Sequence, residues 1–369
     1  MKIKAIGEQK VIMSNPESLH NYFAWPTATK LQDGRIMVGA SGLRVEHADP
    51  FGKGVVIFSD DDGETYTLPQ IAIDTILDDR DVGLCPFGEK GLIITSFNNS
   101  VEMQYGYHAW RKEKEGKELD LMNYFYSYLK TLSKEEEGKY IGATYKISDD
   151  MGKSFGETKI SPITSPHGPV ELRDGRIFWL GTSLKMPPYY EEENKIMLYE
   201  IKKDGSMEHI STLPDIYHED GRKLYSCEPY LFEADDGTLL SFIRMEPDVF
   251  TTWQFKSCDG GKTWCEEERL FPDNGGAPMH IMRHSSGVLI GSYSYRKHPD
   301  ESIKVMFSYD NGKTWDKDYV VALNGVMWDM GYPSTVELKD GSLLTVYYGH
   351  ESEDTPAVIM QQKWNFEVQ

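Results

Sequence analysis

The stretch Ser59-Asp60-Asp61-Asp62-Gly63-Glu64-Thr65-Tyr66 decides the fold, because it returns three times. The copies are Ser148-Asp149-Asp150-Met151-Gly152-Lys153-Ser154-Phe155, Ser257-Cys258-Asp259-Gly260-Gly261-Lys262-Thr263-Trp264 and Ser308-Tyr309-Asp310-Asn311-Gly312-Lys313-Thr314-Trp315. Each follows a β-rich run, such as Gly54-Val55-Val56-Ile57-Phe58. The pattern describes a hairpin turn. The Asp caps backbone N–H groups, the Gly takes positive φ, and the aromatic closes the hairpin by packing inward.

Around these turns a second unit recurs: a strand, an Asp-Gly-type turn, then an apolar strand. It surrounds Asp33-Gly34, Asp174-Gly175, Asp236-Gly237, Ser286-Gly287 and Asp340-Gly341, with a degenerate copy at Lys90-Gly91. The six glycines are 57, 84, 62, 50 and 54 residues apart. Four strands per period of 50 to 60 residues describe propeller blades. The expected fold is therefore an all-β, six-bladed β-propeller, a single domain over 1–369. The long step holds an insertion at 103–140, in blade two. There Met122, Phe125, Leu129 and Leu132 fall on one helical face between charged flanks. That insertion reads as a helix decorating the outer blade, or as a lid or dimer contact.

Composition narrows the function. With 39 basic and 59 acidic residues the net charge is −20, which disfavours nucleic acid and anionic membrane as partners. No apolar run is long enough to span a bilayer. The first twenty residues lack an apolar signal core, so a cytoplasmic location is expected, with a trimmed secretory signal left open. The four cysteines include no Cys-x-x-Cys pair, and neither a catalytic metal nor a cofactor is expected. Oligomeric state is not legible.

The Ser-x-Asp-x-Gly-x-Thr-Trp unit resembles the Asp-box of the sialidase superfamily, and six blades resemble its propeller. Residues at the starts of inner strands converge on one funnel in such a fold. Nine residues before Gly34, Gly237 and Gly341 stand Trp25, Glu228 and Tyr332, each followed by Pro, so spacing alone makes them equivalent.

The resemblance implies that Tyr332 is a nucleophile activated by Glu228, in Gly331-Tyr332-Pro333-Ser334 and Ser226-Cys227-Glu228-Pro229. A neutral phenol suits a sugar whose anomeric carbon carries a carboxylate, because a carboxylate nucleophile would be repelled. The family clamps that carboxylate with three arginines. Arg244 and Arg296 match two of them. Ala24 stands where the first should be, and Arg44 or Arg80 are the loop candidates to replace it. The family's acid/base is an Asp in the loop after the first hairpin, here GLRVEHADPFG. Asp49 fits best, Glu46 is the second choice, and His47 beside them could also serve.

Trp25 reads as a sugar-stacking platform, and His167 and His280 as structural or pocket-lining. The implied activity is an exo-acting, retaining glycoside hydrolase removing a terminal acidic sugar from a glycan. The alternatives are a propeller glycosidase or lyase acting on another glycan, and a non-catalytic carbohydrate-binding propeller.

Overall fold

The computed structural model describes residues 1–184, 194–218, 220–246, 250–276, 278–323 and 326–367. They form six antiparallel sheets around a central channel. Blade one runs outward through Tyr22–Lys30, Ile36–Arg44, Lys53–Ser59 and Gln70–Ile73. Blades two, four and five repeat it, with inner strands Asp78–Phe87, Tyr225–Glu233 and His280–Arg283. Blade three has a broken inner strand, Ile163–Thr164 and Val170–Glu171. Pro166 and Pro169 lie in the gap and have no N–H to give a ladder. Blade six has the inner strand Gly331–Glu337 and closes the ring, because Lys2–Met13 pairs with Val358–Glu367 as its outermost strand.

Both faces of a blade are covered by its neighbours, so every interface carries its own apolar cluster. Val38 and Ile57 of blade one meet Val346 and Ile359 of blade six, and Met37 and Phe58 meet Leu84 and Leu92 of blade two. Equivalent clusters fill the other four interfaces.

The four repeated turns join the third and fourth strands of blades one, two, four and five, on the periphery. In the first, Asp61 accepts the Thr65 N–H (2.9 Å) and hydroxyl (2.6 Å), while Ser59 Oγ accepts the Gly63 N–H (2.8 Å). The same bonds recur at Asp150, Asp259 and Asp310. In three of them the aromatic does more than close its own hairpin. Tyr66, Trp264 and Trp315 each reach the preceding blade, bonding Gln361, Ser211 and Gln254 at 2.6 to 3.0 Å. The turns therefore tie blades to one another.

The insertion comprises helices Val101–His108, Lys117–Leu129 and Lys134–Tyr140 with one 3-10 turn. It begins two residues before its expected start, because Ser100 Oγ caps the Met103 N–H at 3.1 Å. Phe125 is fully buried, against His108 and Phe51.

Candidate active site

Four inner strands break register at the same place. The pairing skips Trp25-Pro26 in blade one, Asp81-Val82 in blade two, Glu228-Pro229 in blade four and Tyr332-Pro333 in blade six. The first residue of each bulge is non-glycine yet left-handed, with φ of 55°, 42°, 48° and 52°. A bulge re-aims the side chain it carries. All four side chains line one funnel of about 620 Å³, with Arg80, His47, Arg244, Glu246, Arg296 and Tyr348.

At its floor the Tyr332 hydroxyl donates to Glu228 Oε1 at 2.5 Å. Arg244 Nη1 donates to Glu228 Oε2 (2.6 Å) and to the Tyr332 oxygen (3.3 Å). Its Nη2 pairs with Glu246 at 2.5 Å. Arg244 Nε is buried with no partner among the described residues. Arg296 is held by the carbonyls of Met330 (2.7 Å) and Gly276 (3.0 Å), with Nη2 3.4 Å from the Tyr348 hydroxyl. Gly331 leaves room for Ser294, since a Cβ there would lie 2.1 Å from Ser294 Oγ, and it would also stand 3.4 Å from Arg296 Nη2.

Burial first, and then the Glu228 charge, push the Tyr332 phenol well above its ordinary pKa. The phenol is thus protonated at rest, with its acceptor already in contact. Burial, again aided by Glu228, pushes the Asp81 carboxyl up to about 7.

A third guanidinium faces the funnel. Arg80 lies over the Trp25 ring at 4.0 Å, anchored by the His47 carbonyl (2.9 Å) and Asp78 (3.3 Å). Ala24 is fully buried in the blade one–blade six core, with no path to the funnel. The two candidates for the missing arginine lie on strands, Ile36–Arg44 and Asp78–Phe87, and not in loops; Arg80 lines the site and Arg44 does not. The Arg44 side chain is 0% exposed and is consumed by Asp78 (2.5 Å), Ser41 and the Glu46 and His47 carbonyls.

Three further expectations are corrected by position. Asp49 is wholly buried, and its oxygens accept the N–H groups of Val45 (2.7 Å), Glu46 (3.0 Å) and Phe51 (2.7 Å). It staples the loop and does not line the funnel. Trp25 does line it, but at 2% exposure beneath Arg80 it offers no open face for a sugar to stack on. The open aromatics at the mouth are Trp328 (63% exposed), Tyr225 (46%) and Tyr107 (43%), the last brought by the insertion. His167 and His280 pack edge-to-face at 5.3 Å in the channel below, against Tyr230. His280 lines a separate cavity at the hairpin end of the inner strands, with Lys30, Arg283 and Lys339.

Sequence reasoning missed Asp81, Asp329 and Tyr348. Asp81 carried a signal, since it stands ten residues before Gly91, but no Pro follows it. Asp329 accepts from the hydroxyls of Tyr22 (2.8 Å) and Tyr348 (3.0 Å) and also contacts His47 (3.0 Å) and His350 (3.3 Å).

Comparison with known proteins agrees with the architecture. The BNR repeat-like domain family matches residues 122–346. No curated protein matches in sequence. Among solved structures, a Dyadobacter fermentans protein of unknown function is 20% identical, with TM-score 0.74 and 99% of each chain covered. The NanB sialidase of Streptococcus pneumoniae is 12% identical, with TM-score 0.67, over 96% of this chain and 70% of that one. The intramolecular trans-sialidase of Ruminococcus gnavus is 13% identical, with TM-score 0.63, over 98% of each. Such identities establish the fold and leave the chemistry to be argued from the site. The chain belongs to the BNR repeat-like domain family and shares the six-bladed propeller fold of the solved sialidases.

Proposed function

We propose that this protein is an exo-acting, retaining glycoside hydrolase that removes a terminal acidic sugar from a glycan. The observation that carries the reading is the contact of Tyr332, Glu228 and Arg244 at the funnel floor, with hydroxyl and carboxylate 2.5 Å apart. Tyr332 attacks the anomeric carbon while its proton passes to Glu228, and Arg244 balances the negative charge that the pair carries until that proton has moved. Its raised pKa requires that proton transfer accompany attack, since no free phenolate is present at neutral pH. Arg80, Arg244 and Arg296 supply three guanidinium groups for a carboxylate. The structural relatives include a sialidase and a trans-sialidase, which supports sialic acid as the first sugar to try.

The test is a panel of terminal acidic glycosides followed by ¹H NMR of the released sugar. The parent should release the anomer it started from, and a fluorinated, slowly turned-over glycoside should label the peptide bearing Tyr332. Release of the opposite anomer first would overturn the mechanism.

A second reading is favoured by Glu246, which holds the Nη2 edge of Arg244, and by Asp81 nearby. These two carboxylates, beside Glu228, suit a sugar presenting hydroxyl or amino groups beside its acid. The same panel separates this sugar from simple sialosides.

A further inference from the structure

With Asp49 consumed by its own loop, the site has lost the proton carrier expected for the leaving group. We propose that His47, oriented by Asp329, carries the proton to and from the glycosidic oxygen. The assignment rests on the hydrolase reading and completes it.

The loop between Ile36–Arg44 and Lys53–Ser59 offers three proton carriers. Asp49 accepts three backbone N–H groups and has no exposed surface. Glu46 turns away to Arg111 at 2.7 Å. Only His47 lines the funnel, with its side chain 44% exposed and edge-on to Trp25 at 5.1 Å.

One ring nitrogen is fixed and the other is left over. His47 Nδ1 lies 3.0 Å from Asp329 Oδ1 and 3.1 Å from the Tyr22 oxygen. Tyr22 and Tyr348 give their hydroxyl protons to Asp329, so that carboxylate is an acceptor on every side. An acceptor-only partner puts the proton of neutral His47 on Nδ1. Nε2 then remains as a base, with no protein partner among the described residues. This is the division of labour in which a buried carboxylate orients an imidazole and stabilises its charged form. Asp329 is the positioning residue.

The steps balance. In the first, the Tyr332 oxygen bonds to the anomeric carbon as the glycosidic C–O bond breaks. The departing oxygen keeps the electron pair and takes the Nε2 proton of charged His47, and Glu228 takes the Tyr332 proton. In the second, water attacks the anomeric carbon and gives its proton to Nε2. The phenol leaves and recovers its proton from Glu228. One water is consumed, and both carriers return to their starting states.

The groups facing His47 are Asp329 and Tyr22, with Tyr348 and His350 beyond Asp329, and Arg80 and Arg44 from the other side. Burial, chiefly, and then the two arginines hold its pKa below the ordinary value, against Asp329, which raises it. The charged, acid form therefore grows in as pH falls through that lowered pKa. Rates limited by departure of a poor leaving group should rise on the same limb.

The experiment compares two glycosides of whichever acidic sugar the parent cleaves, one linked to 4-nitrophenol and one to lactose. Turnover is measured for the parent, His47→Gln, Asp329→Asn and Asp81→Asn, each first shown to melt near the parent. His47→Gln should lose about 10²- to 10⁴-fold on the lactoside. It should lose under about tenfold on the nitrophenyl glycoside, whose leaving group needs no proton, and the acid limb should vanish. Asp329→Asn should show the same split, smaller. Equal losses on both substrates, or the split appearing in Asp81→Asn instead, would overturn the assignment. A parent that releases neither product defeats the hydrolase reading and this assignment with it. Independently of any substrate, ¹⁵N-histidine NMR should find neutral His47 protonated on Nδ1, and a proton on Nε2 would refute it.

Discussion

Replacing Asp49 separates a staple from an acid. In Asp49→Ala the N–H groups of Val45, Glu46 and Phe51 lose their acceptor in a fully buried setting. Hydrogen bonds to a charged group are worth about 1.5–3 kcal/mol each, and they are not additive. Against them stands the cost of burying the carboxylate, which already raises its pKa despite the neighbouring Arg44. Weighing the two, the alanine variant should lose about 3–4 kcal/mol. Asp49→Asn keeps one acceptor oxygen and should lose roughly half of that. At about 1.3 °C per kcal/mol for a chain of this size, the melting point should drop by roughly 4–5 °C in the first and 2–3 °C in the second. Differential scanning calorimetry gives the shifts, and turnover is read 20 °C below each midpoint, where both variants are folded. Asp49→Asn should then retain activity within about threefold, by the same amount on good and poor leaving groups. A variant that melts like the parent yet loses about a hundredfold on the poor leaving group alone would refute the reasoning and restore Asp49 as the acid.

Tyr332→Phe removes one hydroxyl bonded to Glu228, so melting should move by only about 1 kcal/mol while kcat falls by on the order of 10³ or more; near-parental turnover would exclude Tyr332 as nucleophile. Arg80→Gln deletes one of three guanidinium groups at the funnel, so KM for an acidic sugar should rise about ten- to hundredfold, and an unchanged KM in steady-state kinetics would remove Arg80 from the clamp. Phe125→Ala empties the middle of the insertion at a cost of about 3–4 kcal/mol, and hydrogen exchange should quicken across 101–140 while the blades stay protected.

The blades were legible because their signals are local. The Ser, Asp, Gly and Thr of each turn bond one another within seven residues, so the local sequence contains those bonds, while the aromatic that follows reaches out of the turn. Glu228 and Tyr332 were legible because a following Pro marks each bulge, whereas Asp81, followed by Val82, carries no such mark. Asp329 was not legible at all, because its partners Tyr22 and His47 lie about three hundred residues earlier and meet it only when the ring closes. Asp49 misled for a different reason. It sits in the expected loop, but whether a loop carboxylate faces outward or curls back onto three N–H groups is decided by backbone dihedrals that residue type does not specify. Arg44 and Arg80 could not be ranked by spacing, because Asp78, Ser41 and the Glu46 and His47 carbonyls together occupy every nitrogen of the first guanidinium, while Asp78 and the His47 carbonyl hold the second by Nη1 alone.

The four left-handed bulges also set terms for how this scaffold can change. A side chain held at positive φ costs about 1–3 kcal/mol that glycine would not incur, and Trp25, Asp81, Glu228 and Tyr332 each bear that cost at the funnel. Selection for thermostability alone would therefore drift these positions toward Gly or Asn, gaining rigidity and discarding chemistry. Among propellers of this kind, the residues at these four bulges thus report separately on ancestry and on activity. A chain that keeps its peripheral turns but has relaxed all four bulges to glycine would be one that has given up catalysis while retaining the scaffold.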